Sequence, residues 1–298
     1  MLLTPITTFS TINTALNEAD KPEFTNPQEI SEIVKNINNK KSIGPDKISN
    51  FILRKVTPNI INWLTILTNN CINVGYFLTS WKTGKLLPLP KKPNNYEVAY
   101  FRPIILLSNL GKLLERVIDR RMVSFLTNKN IIPNIQFGFK SKHSTTHALL
   151  KILDDVNTGI RNKECTAACS LDIEKAFDSV WIEGLIHKTI FYDFPIYLTK
   201  IISSFLTNRF IIVSVNDENS APIPIHKGVP QGSVLGPKLY NLYLSDFPYH
   251  LDSNPSSHSL SKAILFADDT IVYSTNSSPI TKSGRQKLSL LGKLCRLM

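Results

Sequence analysis

The chain has 298 residues, 42% hydrophobic and 19% charged, which excludes a disordered polymer and leaves room for one large domain or two modest ones. Its 34 Lys and Arg against 23 Asp and Glu give a net charge of +11. That excess is local: residues 51–150 hold 14 basic and 3 acidic residues, leaving 20 of each in the rest of the chain, so one contiguous module either meets a phosphate-rich partner or presents a solvated basic face. No apolar run approaches the ~18 residues of a membrane span. The start, MLLTPITTFS, lacks the charged lead and long apolar stretch of a secretion signal. The expectation is an intracellular protein without membrane contact. Four cysteines in a chain this long are no disulfide framework. Cys165 and Cys169 have no further Cys or His nearby to complete a zinc site, so buried free thiols are expected.

Residues 1–26 are polar, without a clear period, and read as a lead-in segment. Residues 27–38 place Ile30, Ile33, Val34 and Ile37 at helical spacing. SIGPDKI follows as a turn. Residues 48–74 predict a long, buried helix rich in Ile and Leu. LLPLPKKP (86–93) reads as a strand running into a loop with Pro and Lys. The stretch 103–128 becomes a basic amphipathic helix after Ser108. HSTTHALLKILDDV (143–156) is a Ser/Thr-capped helix; His143 and His147 share one face but lack a third ligand. AACSLDI (167–173) reads as a buried strand ending in a carboxylate. GVPQGSVLGPKLYNLYLSDF (228–247) is a Gly/Pro loop turning into a helix. AILFADDTIVYS (263–274) reads as two short strands with Asp268 and Asp269 at the tight turn between them. Strands and helices interleave without simple βαβ repeats, so the expected class is α+β.

Three carboxylates stand out. Asp172 ends an apolar strand, and Asp268 and Asp269 sit between two more. A bare carboxylate in an apolar setting is costly unless compensated, and a divalent ion is one compensation. Two ions bridged by aspartates lower the pKa of an attacking hydroxyl and stabilise a leaving pyrophosphate. The same residues also suit an ordinary turn and a strand-end cap; taken alone, the two readings stay open.

Order and spacing bear on that choice. SLDIEKAFDSVW, then GVPQGSVLGPKLYNLYLSD, then ILFADDTIVYS resemble the three central palm motifs of reverse transcriptases. The F-A-D-D form is similar to the non-LTR, LINE-type, jockey-like retrotransposon branch. SIGPDKI, LPLPKK with FRPIILLSNLGKLLERVI, and QFGFKSKHSTTHALL resemble upstream segments of that branch. The resemblance runs from about residue 25 to about residue 280. It implies right-hand polymerase fingers at 27–165 and a palm at 166–280, the palm an antiparallel sheet with helices packed on one face. It implies RNA-directed DNA polymerase activity with an RNA template, a DNA primer and dNTPs as partners, and two Mg²⁺ ions (or Mn²⁺) as cofactors; protein partners are left open.

The resemblance also implies roles residue by residue. Asp172 and Asp268 bridge the metals, the Ile173 carbonyl is a further ligand, and Asp269 contacts the primer-side metal more weakly. Phe177 stacks under the sugar and excludes a 2′-hydroxyl, the one group that separates the two sugars; its alternative is plain core. Asp178 reads as a structural cap or ion-pair residue. Gln231 hydrogen-bonds the nucleotide or the template-side backbone, and Gly232 permits close backbone approach to a base pair. Arg102 reaches the α-phosphate through its planar fork. Lys91 is a point charge on the outer phosphates, with Lys92 and Lys85 as competitors. Arg116, Arg120 and Arg121 contact template backbone or solvate a helix. The family's Y-R-P-I-S is here Phe101-Arg102-Pro103-Ile104-Ile105. Residues 281–298 depart from the family's continuation, so the reading expects an atypical tail, no thumb and a truncated copy. The alternative function is a non-catalytic remnant that binds nucleic acid. Nuclear action is a family expectation only.

Overall fold

Asn26 opens the first helix. Its side chain accepts the Glu29 amide, Pro27 fills the first turn, and Ile30, Ile33 and Val34 form the buried face of α1 (Pro27–Lys35), as the spacing predicts. The computed structural model describes residues 21–38, 43–90, 101–216, 218–247 and 262–276. The turn at Pro45 and Asp46 follows, with the Lys47 amide donating to the Gly44 carbonyl.

The next stretch departs from expectation. One buried helix over 48–74 is replaced by two, α2 (Asn50–Arg54) and α3 (Pro58–Val74). A proline disfavours helical backbone in the residue before it, and Thr57 is extended. α3 buries Ile61, Thr65, Thr68, Cys71 and Ile72. Trp63, Ile66 and Val74 are exposed, Trp63 by 70%. The inner face spends two of its positions on threonine, so much of the apolar surplus falls outside.

α4 (Thr79–Lys82), β1 (Thr83–Pro90) and β2 (Phe101–Leu106) lead to α5 (Asn109–Asn128). Ser108 caps α5 by accepting the Gly111 amide, and Leu113, Leu114, Val117, Ile118 and Met122 form its buried face. Then come α6 (Thr145–Arg161), β3 (Cys165–Leu171), α7 (Ile182–Phe191), α8 (Ile196–Leu206), β4 (Arg209–Val215), β5 (Glu218–Asn219), β6 (Ile223–Ile225), α9 (Gly236–Tyr243), β7 (Lys262–Phe266) and β8 (Asp269–Asn276). Helices with one mixed and one antiparallel sheet make this an α+β chain. Among the described residues no helix is long and apolar enough to cross a membrane.

Two compact units result: Met1–Lys129 with Phe177–Leu239, and Asn130–Ala176 with Tyr240–Met298. The chain changes unit at 129/130, 176/177 and 239/240. The first unit holds a mixed sheet in the order β2–β1–β4–β5, with β6 also on β4. β1 and β4 run parallel and the other pairs antiparallel. Its helical core includes Phe77 edge-on to Phe205 at 5.0 Å between centroids. The second unit holds the antiparallel sheet β3–β8–β7. α6 covers it, with Ala148, Ile264 and Tyr273 buried and Phe137, Ile152 and Ile271 packed on them.

Two burial expectations are corrected. β3 is half-buried to exposed rather than buried, because it is an edge strand and its Ala and Ser side chains offer little apolar area. Cys165 is exposed and Cys169 half-buried; Cys71 is buried.

Arg121 is corrected too. It is buried and grips Glu29 through both terminal nitrogens, Nη2 donating to Oε2 at 2.6 Å and to the Phe24 carbonyl at 3.2 Å. Burial works against the Glu29 charge, but the Arg121 and Thr25 hydrogen bonds prevail and hold its pKa below the ordinary value. This basic residue ties α5 to α1 rather than solvating a helix. Removing one partner of a buried pair strands the other, so Arg121→Leu is expected to cost about 3 kcal/mol of stability. Arg121→Lys should recover little, since an ammonium lacks the planar fork. Urea unfolding midpoints check both; wild-type midpoints would show that the pair contributes nothing.

Candidate active site

In the second unit, β7 and β8 form a hairpin joined by Ala267 and Asp268, with Phe266 paired to Asp269. The turn is thus one residue earlier than the Asp268-Asp269 turn expected, and Asp269 starts a strand. On the other side of β8, Leu171 pairs with Thr270. One step past that pair, Asp172 comes level with Asp269. Asp172 and Asp269 are exposed, while Asp268 and Ile173 are half-buried. Burial first, and then the Asp268 charge, push the phenol of buried Tyr240 above its ordinary range.

Among the described residues no three His, Cys, Asp or Glu side chains converge closely enough to hold a metal ion. Magnesium does not need such a cage. It is usually held by one or two carboxylates together with waters and substrate phosphates. Two exposed carboxylates at neighbouring strand ends, with a third in the adjoining turn, fit that requirement in donor type and access.

The turn itself is unusual. Ala267 has φ 60° at the first central position of a two-residue hairpin loop, where glycine is the usual occupant. Left-handed backbone costs an L-residue roughly 1–2 kcal/mol. A segment of the same unit lies against this turn. The Phe137 amide donates to the Leu265 carbonyl at 2.8 Å, and the Leu265 amide to the Ile135 carbonyl at 2.9 Å. Between them, buried Gln136 accepts at Oε1 from the Gly138 amide at 2.8 Å and the Ala267 amide at 3.1 Å. Its Nε2 points to the Ala267 carbonyl at 3.5 Å. A Cβ on Gly138 would stand 2.1 Å from the Ala267 nitrogen, so only glycine lets the segment lie this close.

In the first unit, the loop before α9 is laid on residues 177–180. The Val229 amide donates to the Phe177 carbonyl at 2.8 Å and the Gly228 amide to the Val180 carbonyl at 2.9 Å. Gln231 Nε2 donates to Asp178 at 2.9 Å, which gives Asp178 its structural partner. Gly232 has φ 87°, and a Cβ there would stand 3.1 Å from the Ile105 carbonyl of β2. Phe177, Gln231 and Gly232 are therefore brought together near the strand that carries Arg102. The backbone of Arg102 pairs with Leu89. Lys91 and Lys92 lie outside the described residues.

Two buried charges anchor this loop, and sequence reasoning missed both. Arg209 donates to the carbonyls of Leu206, Lys227 and Gly228 at 3.0, 2.7 and 2.5 Å. Burial lowers its pKa to about 10, against the opposing pull of Asp178, so it is charged at neutral pH. At the other end, Glu115 Oε2 accepts from the Val234 and Leu235 amides at 2.5 and 3.1 Å. Ser233 takes the Gly236 amide at 2.9 Å. Amides that a helix start leaves unpaired are thus satisfied, and the negative charge suits the positive end of the helix. The loop also borders a cavity of about 460 Å³ walled by Leu86, Ile105, Phe210 and Val229. The only sequence signal for Glu115 was a charge set between the apolar pairs Leu113–Leu114 and Val117–Ile118.

A family model described as reverse transcriptase (RNA-dependent DNA polymerase) matches residues 89–295. The chain belongs to the reverse transcriptase family. The match takes in most of the segment 281–298 that was set apart as a tail. Similar proteins include the RNA-directed DNA polymerase from mobile element jockey of Drosophila melanogaster, 34% identical over 84% of this chain and 27% of that protein. The probable RNA-directed DNA polymerases from transposons BS and X-element of the same species are each 36% identical, over 90% and 83% of this chain and 30% and 27% of theirs. This reverse transcriptase chain thus spans between about a quarter and a third of the length of these relatives.

Glu115 gives the loop a pH signature. Burial raises its pKa from 4.5 to about 7, against the loop amides and Lys112, with Asp119 adding to the rise. Asp119 is itself raised by burial, opposed by Lys238 and Arg116. The folded state therefore holds a proton that the unfolded chain has lost between pH 4.5 and 7. Stability from this group is greatest below pH 4.5 and declines by about 3 kcal/mol as the pH rises to 7. In Glu115→Gln that decline should shrink by a similar amount, read from urea midpoints at pH 5 and pH 7.5. An unchanged pH slope would contradict it.

Proposed function

We propose that this chain carries the fingers and palm of an RNA-directed DNA polymerase, transferring a nucleotide from a dNTP to a primer 3′-hydroxyl on an RNA template. The fingers correspond to residues 27–165 and the palm to 166–280. The observation that supports this most is the strand register that sets Asp172 level with Asp269 beside the Asp268 turn, in a chain of this family.

Asp172, Asp268 and Asp269, with the Ile173 carbonyl, hold two Mg²⁺ ions. When bound, divalent ions lower the pKa of the attacking hydroxyl and offset charge on the leaving pyrophosphate. The protein's own part is positioning. Arg102 meets the α-phosphate and Lys91 the outer phosphates. Phe177 presents a ring that leaves no room for a 2′-hydroxyl. Gln231, steadied by Asp178, keeps its carbonyl oxygen directed away from that carboxylate, and so offers an acceptor to the nucleotide. Gly232 lets the backbone come close.

Primer extension on an RNA template with Mg²⁺ is the direct test. Asp268→Asn is expected to cut incorporation by at least a hundredfold; undiminished incorporation sinks the site. RNA binding that weakens with salt, without extension, selects a non-catalytic nucleic-acid binder instead. Phe177→Val should raise ribonucleotide use relative to dNTP use by tenfold or more. An unchanged sugar preference would return Phe177 to the core.

A further inference from the structure

Gln136 belongs to no function considered so far, yet it is a buried amide whose side chain bonds both backbone groups of Ala267 and the Gly138 amide of its own segment. Its carbonyl oxygen accepts from Ala267 and Gly138, and its amide nitrogen faces the Ala267 carbonyl. Ala267 is the residue before Asp268 and holds a left-handed conformation. A backbone left in that state without support relaxes toward the right-handed or extended regions. In a two-residue turn, such a relaxation rotates the peptide that carries the next side chain. Here that side chain is Asp268, and the residue after it is Asp269.

We propose that Gln136 is a positioning residue for the Asp268–Asp269 turn: by bonding both backbone groups of Ala267 it fixes the left-handed turn, and through it the direction in which the carboxylates are presented to a divalent cation. Gly138 is the second part of the device. Its missing side chain lets the segment reach the turn, since a Cβ there would stand 2.1 Å from the Ala267 nitrogen. The parallel bridge between Gln136 and Leu265 keeps the segment in register with β7. The inference rests on the reading of Asp172, Asp268 and Asp269 as cation ligands, and adds to it a residue that touches no substrate.

A plain structural role for a buried glutamine predicts lost stability and nothing more. The positioning role predicts a specific suppressor. Gln136→Met keeps the volume and removes the hydrogen bonds. Ala267→Gly removes the cost of left-handed backbone, so the turn no longer needs holding. Mn²⁺ binding to the full chain, followed by the loss of the free-ion electron paramagnetic resonance signal, provides a readout independent of turnover. Residues that orient metal ligands typically change metal affinity by roughly 10–100-fold when removed. Gln136→Met should therefore bind Mn²⁺ about tenfold more weakly than wild type, and Gln136→Met with Ala267→Gly should recover most of that loss. Hydrogen exchange of the Ala267 amide should speed up in Gln136→Met, which confirms that the bond was lost in a folded chain. Wild-type affinity in Gln136→Met, or a double variant no better than the single one, overturns the inference. If Asp268→Asn binds Mn²⁺ as wild type does, the cation-ligand reading itself fails and the inference falls with it. A loss in Asp268→Asn with none in Gln136→Met leaves that reading standing and removes Gln136 alone.

Discussion

A two-residue hairpin whose first connecting residue is alanine in left-handed backbone cannot hold its shape by local preference. The geometry of the three aspartates depends on that turn being held. The second unit is built around it: β8 pairs on one edge with the strand leading to Asp172 and on the other with β7, and α6 fixes the sheet from one face. Gln136 completes the arrangement by occupying the backbone groups of the strained residue. Local strain of this kind persists only where surrounding structure over-determines it.

The first unit applies a related economy with buried ionisable side chains. Arg209 and Glu115 lie at opposite ends of the loop that bears Gln231 and Gly232, one capturing carbonyls and the other amides. Each charge is satisfied by backbone rather than by an opposite side chain, so each fixes the course of the chain. Arg121 differs in combining an opposite charge, Glu29, with a backbone carbonyl, Phe24, while buried Lys82 donates to the Ser204 carbonyl at 2.6 Å. Part of the positive excess in residues 51–150 is therefore internal scaffolding, which reduces the charge available to a polyanion below the formal count.

Much of this was legible in the sequence where a motif is local. The two strands around Asp268, the loop turning to helix after Gly228, the helix start after Ser108, the Ser/Thr cap of α6 (where Ser144 accepts the His147 amide) and the helix at Ile30, Ile33 and Val34 follow from short-range pattern alone. What escaped is long-range and polar. Gln136 meets Ala267 across 131 positions, and Glu115 meets Leu235 across 120; no periodicity reports such a pairing. Apolar content misled in the other direction. The stretch 48–74 read as buried because it is rich in Ile and Leu, but composition does not say which side of a helix finds a neighbour. β3 read as buried from the same cue, although an edge position leaves one flank open.

The outer side of α3 sets a condition on how the chain behaves in a tube. Trp63, Ile66 and Val74, with Phe51 and Ile52 of α2, are exposed on a molecule of formal charge +11. Like charge keeps copies apart over a screening length of about 10 Å at 0.1 M salt, which falls to about 3 Å at 1 M. Apolar attraction is not weakened by the same salt, and excluded anions such as sulfate strengthen it. The colloidal balance therefore tips toward self-association as ionic strength rises. A high-salt buffer thus removes the repulsion that keeps one tryptophan-bearing face from another.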